Sequence, residues 1–192
     1  MKKIMIVCVL LISSYALRAQ TDAHFGLKGG LNVSNLKVGN TYLDSKTSAF
    51  GGAFFHIHLD RVIALQPEVM ISGQGAQQVI DGTNRITSLT YMNVPVLVQY
   101  MFGDGFRLQT GPQAGMLLSA RYNNGASKID VQNSYKSGDF SWVFGGSYVS
   151  PSSGWGVDAR YNLGLTNINE GATIVNNRVF QLGAIYQFKR HL

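Results

Sequence analysis

The stretch Tyr91-Met92-Asn93-Val94-Pro95-Val96-Leu97-Val98-Gln99-Tyr100 decides the fold class. Met92, Val94, Val96, Val98 and Tyr100 recur at every second position, with Asn93, Pro95 and Gln99 between them. Successive side chains of a β-strand point to opposite faces, so this spacing describes a strand with one apolar and one polar face.

Working outward, seven more segments show the same period. The full set covers about His24–Ser34, Thr47–Leu59, Val62–Ala76, Arg85–Phe102, Phe106–Ser119, Asp139–Val149, Trp155–Thr166 and Asn177–Lys189. Short turns fall at Asp60-Arg61, Gly103-Asp104-Gly105 and Ser150–Gly154. Longer connections are expected at Asn35–Lys46, Gln77–Asn84, Ala120–Gly138 and Asn167–Asn176. Short turns at one end and longer loops at the other are the pattern of outer-membrane barrels, with the short turns periplasmic. An even strand count then puts both termini in the periplasm. The apolar faces are rich in aromatic residues, which suits girdles at a membrane interface and favours an apolar-out wall over a lipocalin-like interior.

Composition agrees. Charged residues make up 14 %, against about a quarter in ordinary soluble domains. Gly (22), Phe (10) and Tyr (9) are abundant, which argues against disorder, coiled coils and helical bundles. The single Cys, Cys8, excludes a disulfide framework and a thiolate zinc site.

The N-terminus reads as a secretory signal peptide. Met1–Lys3 is basic, Ile4–Leu11 is an unbroken apolar run, and Ala16-Leu17-Arg18-Ala19-Gln20 offers small residues for cleavage after Ala19 or Gln20. The apolar run is too short to span a bilayer as a helix. Residues 1–20 are therefore expected to be the signal peptide and 21–192 the barrel domain. Cleavage removes Lys2, Lys3 and Arg18 and no acid, leaving 13 basic and 10 acidic residues. No basic stripe for nucleic acid is present.

The motifs Gly26-Leu27-Lys28-Gly29-Gly30-Leu31-Asn32, Leu65-Gln66-Pro67-Glu68, Tyr91 to Tyr100, Gly111-Pro112 and Arg160-Tyr161-Asn162-Leu163-Gly164-Leu165-Thr166-Asn167-Ile168 occur in that order. Together they resemble the porin-family outer-membrane β-barrel domain of Bacteroidetes-type bacteria, the group that includes PorT-like proteins. The resemblance spans Phe25 to Phe188. Where such proteins often carry Glu and Lys in the fourth strand, this chain has Asn93 and Gln99. The final segment, Gln181-x-Gly183-x-x-Tyr186-x-Phe188, resembles the C-terminal insertion signal read by the barrel-assembly machinery. It is followed by Lys189-Arg190-His191-Leu192.

The chemistry is sparse. His56 and His58 share a strand face and could reach one metal, but spacing supplies no third ligand, so no metal or cofactor is expected. The long loops hold no His, which argues against a lipid hydrolase or acyltransferase. No Gly-rich segment opens a helix with a Lys, so phosphate loops are absent. The polar faces place Lys28, Glu68, Arg107, Asp158 and Arg160 inside the barrel. An eight-stranded barrel is just wide enough for its own side chains, so these charges are expected to plug it. Glu68 is expected to meet Arg160 or Lys28 near the axis.

The sequence therefore describes an all-β, eight-stranded antiparallel up-and-down transmembrane barrel of the outer membrane. It is expected to be a monomer in outer-membrane lipid, not an enzyme, and to have a structural or interaction role through extracellular loops. The rival readings are a narrow solute channel, a secretion accessory, a lipid-modifying enzyme and a soluble periplasmic barrel carrying an apolar ligand.

Overall fold

The computed structural model describes residues 23–80 and 82–188. The expected signal peptide and the tail 189–192 lie outside the described residues. Among the described residues ten strands form: β1 (Ala23–Val38), β2 (Thr41–Tyr42), β3 (Asp44–His58), β4 (Ile63–Ile80), β5 (Thr83–Phe102), β6 (Phe106–Asn123), β7 (Lys128–Asp130), β8 (Gly138–Val149), β9 (Trp155–Gly164) and β10 (Val175–Gln187). Eight are long and pair antiparallel in the order β10-β9-β8-β6-β5-β4-β3-β1. Strand β1 then pairs with β10 from Gly26↔Gln187 to Val38↔Val175, which closes the ring and removes the free edges. The two short strands, β2 and β7, are extensions beside β1 and β6.

Both described ends of the chain, Ala23 and Phe188, lie at the same end of the barrel as the short turns β3–β4, β5–β6 and β8–β9. Of the expected loops at the other end, Asn35–Lys46 and Gln77–Asn84 are mostly strand, whereas most of Asn167–Asn176 lies between β9 and β10. Strand β1 continues to Val38, β3 begins at Asp44, β4 runs to Ile80 and β5 begins at Thr83. Strand β6 runs to Asn123, so only part of Ala120–Gly138 is loop, and it contains β7 and a short 3-10 turn at Gln132–Ser134. The cause is length. A membrane-spanning strand needs about 9–11 residues, and β4, β5 and β6 have 18, 20 and 18. The surplus, such as Thr83–Thr90 of β5, has few outward apolar side chains and lacks the alternation that marks the rest.

The wall is inside-out relative to a soluble protein. Leu31 is 59 % exposed on β1, and the adjacent Asn32 is fully buried. Val69, Val98, Leu108, Phe144 and Leu182 are likewise exposed, and Gln66, Gln99, Gln109 and Gln181 are buried. That distribution excludes the soluble barrel with an apolar cavity.

Several apolar side chains nevertheless point inward. Phe50 and Phe54 of β3 are buried in the lumen. Glycines opposite them make this possible. A Cβ at Gly26 would collide with the Phe54 ring, and one at Gly183 would come 2.8 Å from Phe50 Cζ. At the longer-loop end, Leu36, Leu89, Tyr91, Leu117 and Ile168 form an interior apolar cluster, with Val131 and Tyr135 of the β7–β8 connection packed against it. Burial there pushes the Tyr135 hydroxyl pKa up, against a hydrogen bond from Thr87. The β5–β6 register shifts at Leu118, between Tyr91↔Leu117 and Thr90↔Ser119, which lets both Leu117 and Ala120 face inward.

Candidate functional site

The centre of the lumen is an ion quartet. Lys28 on β1, Glu68 on β4, and Asp158 and Arg160 on β9 point inward, and none of the four side chains is accessible to solvent. Lys28 Nζ lies 3.0 Å from Glu68 Oε1 and 3.4 Å from Asp158 Oδ1. Arg160 grips both acids. Its Nη1 and Nη2 donate to Glu68 Oε2 and Oε1 at 2.9 and 3.1 Å, and its Nε and Nη2 donate to Asp158 Oδ1 and Oδ2 at 2.8 and 3.1 Å. The planar guanidinium fork suits two carboxylates at once in a way an ammonium does not. Two cations and two anions make the set neutral, which is what burial at this depth requires.

Amides complete the carboxylates and carry the pattern downward. Gln66 Nε2 donates to Glu68 Oε1 at 2.7 Å. Gln109 Nε2 donates to Asp158 Oδ2. A carboxylate only accepts, so Gln109 must present its amide nitrogen there and its oxygen to the next residue. Gln99 Nε2 therefore donates to Gln109 Oε1 at 2.9 Å, and Gln99 Oε1 faces His56 Nδ1 at 2.9 Å. This relay fixes the imidazole: His56 Nδ1 carries the proton. Arg107 Nη1 lies 3.4 Å from the same nitrogen. Two donors cannot share it, so this approach is not a hydrogen bond. Arg107 Nη2 donates instead to Gln187 Oε1 at 2.8 Å.

Arg107 is thus set apart from the four residues with which the sequence grouped it. It lies on β6 towards the short-turn end, beyond the His56 end of the amide relay, and bonds Gln187. On the other side of the quartet is a neutral layer. Gln181 Nε2 donates to Asn32 Oδ1 at 2.8 Å, Asn32 Nδ2 to Ser72 Oγ at 2.9 Å, and Asn162 Nδ2 to Gln181 Oε1 at 3.1 Å. Gln74 bonds Ser72 and Asn177. The apolar cluster lies beyond. The lumen is therefore filled from the His56 level to the longer-loop end.

His24, His56 and His58 come together at the short-turn end, with ring centroids 4.6 Å apart for His56–His58 and 5.7 Å for His24–His58. Among the described residues, no group of three or more His, Cys, Asp or Glu is placed to hold a metal ion.

The residues of the expected insertion signal divide between the two faces. Gln181 and Gly183 face inward, Gln181 within the polar layer and Gly183 beneath Phe50. Tyr186 and Phe188 join an outward aromatic girdle at the short-turn rim. Phe188 stacks on Phe25 at 5.5 Å, Tyr186 meets Phe188 at 4.9 Å, and Trp155 meets Tyr186 at 4.8 Å. Phe102, Phe106 and Tyr148 continue it across β5, β6 and β8.

Residues 18–170 match the family described as outer membrane protein beta-barrel domain. The chain belongs to that family. Solved structures share its fold. The crystal structure of Ail, the attachment invasion locus protein of Yersinia pestis, superposes with a TM-score of 0.56 at 14 % identity, covering 88 % of this chain and 100 % of that one. Neisserial surface protein A gives 0.58 at 13 % identity, covering 87 % and 99 %. No curated protein matches the sequence. The outer membrane protein beta-barrel domain described here is thus a small barrel of the bacterial outer membrane. Its exposed apolar wall is the lipid-facing surface, and its aromatic girdle is an interface belt.

Proposed function

We propose that this barrel is a non-enzymatic, monomeric scaffold that presents its longer-loop end outside the cell, with both termini in the periplasm. The sealed lumen carries this reading: three successive layers of side chains leave the wall and the loop end as the surfaces available for work. The loop end has features suited to contact. Val79, Ile129 and Ile174 are exposed there. Tyr42 on β2 has Arg178 over its ring at 5.0 Å and Lys37 at 5.9 Å, an exposed aromatic contacted by two cations. Asn123 and Asn124 order the β6–β7 turn by accepting backbone hydrogen bonds from Gly125, Ala126 and Ser127.

Within its family the chain is best read as a PorT-like member, on the ordered motifs from Gly26 to Ile168. Residues Gln181, Gly183, Tyr186 and Phe188 serve as the signal to the barrel-assembly machinery. A short epitope inserted after Asn124 tests the orientation. Antibody should label it on intact cells. Labelling only after the outer membrane is broken would reverse the orientation.

A further inference from the structure

At the short-turn end the lumen opens into a cleft of about 530 Å³, and its lining is basic. Arg107, Arg61, His24 and His58 contribute to it, and among the described residues no Asp or Glu does. Arg107 is 8 % exposed and makes no ion pair among the described residues. The inward carboxylate on the neighbouring wall, Asp158, is engaged by Lys28, Arg160 and Gln109. Asp60 accepts a hydrogen bond from the backbone N–H of Arg61 in its own turn. Gln187 satisfies one Arg107 nitrogen, and the His56 tautomer set by the amide relay denies a partner to the other.

We infer that this cleft is an anion site. It would take a phosphate-type group, with Arg107 as the anchor and Arg61 as a second cation at the mouth. A buried guanidinium without a counter-charge is costly, and an anion in the cleft removes that cost. With Nη2 donating one hydrogen to Gln187, the remaining N–H groups of the Arg107 guanidinium are donors suited to phosphate oxygens. The imidazoles of His24 and His58 add ring nitrogens to the wall. Phe106 and Phe188 line the same cleft and belong to the girdle. The phosphate can therefore come from solution or from a phospholipid headgroup at the membrane edge. This inference is independent of which side of the membrane the cleft faces.

The full chain, folded in dodecyl maltoside, tests it by nuclear magnetic resonance of the arginine side chains. Inorganic phosphate is titrated against chloride at matched ionic strength, and the measurement is repeated in phospholipid nanodiscs. Phosphate should shift the Arg107 Nε signal saturably, and Arg61→Gln should weaken that binding several-fold. Arg107→Gln should abolish the phosphate-dependent rise in the heat-modifiability midpoint. Arg121→Gln, at the opposite end, should leave both unchanged. A shift with free phosphate assigns a soluble anion, and a shift only in nanodiscs assigns the headgroup. No saturable shift in either medium, or equal responses from the wild type and Arg107→Gln, would overturn the proposal.

Discussion

Glu68→Gln will destabilise the folded barrel by about 3–5 kcal/mol, the range for removing one partner of a buried ion pair. The carboxylate accepts from Lys28, Arg160 and Gln66. A glutamine keeps the shape but removes the charge, which leaves Lys28, Arg160 and Asp158 with a net +1 inside the lumen. Its amide nitrogen would also confront a cationic donor. The remaining carboxylate, Asp158, can satisfy only one cation well. Adding Lys28→Gln restores neutrality, so the double variant should recover part of the loss. Urea unfolding and refolding in lipid vesicles measures both. A change below 1 kcal/mol for the single variant would mean that the quartet is not the tightly coupled unit its geometry describes.

Replacing both Tyr186 and Phe188 with Asp should abolish assembly. The two rings hold each other, Trp155 and Phe25 in one continuous stretch of girdle. Two carboxylates there lose that packing and place charge against the acyl-chain boundary, a cost that grows with depth. They also erase the aromatic half of the proposed insertion signal. The heat-modifiable form in outer-membrane fractions is the readout, and it should fall below one-tenth of wild type. Normal membrane levels would separate these rings from insertion. A single Phe102→Asp in the same girdle, outside the signal, distinguishes the two causes. It should reduce folded protein less than the double change does.

Much of this was legible in the sequence because a membrane barrel displays its solvent contrast residue by residue. On β5 the outward Met92, Val94, Val96 and Val98 and the inward Asn93 and Gln99 follow directly from period two. So does the inward placement of Lys28, Glu68, Asp158 and Arg160. The inward apolar residues were not legible. Phe54-Phe55 must send one ring to each face of β3, but alternation alone does not say that Gly26 across the sheet leaves room for the inner one. Tyr91 and Leu97 sit on the polar face of the very stretch that decides the fold, and their burial depends on neighbours from other strands. The strand extensions were hidden for a different reason. Beyond the lipid, outward positions need not be apolar, so Gln77–Ile80, Thr83–Asn84 and Ala120–Asn123 read as loop. Arg107 matched the quartet in face but not in height. Height in a tilted, staggered barrel depends on register, which one sequence does not display.

The central claim is that the lumen is closed by its own side chains. Planar-bilayer recording of the purified, folded wild-type chain tests it most directly. The quartet, the amide layer and the apolar cluster together predict no steady single-channel conductance at moderate voltage in salt solution. A reproducible ohmic conductance, abolished when the chain is heat-unfolded before addition, would contradict a sealed barrel.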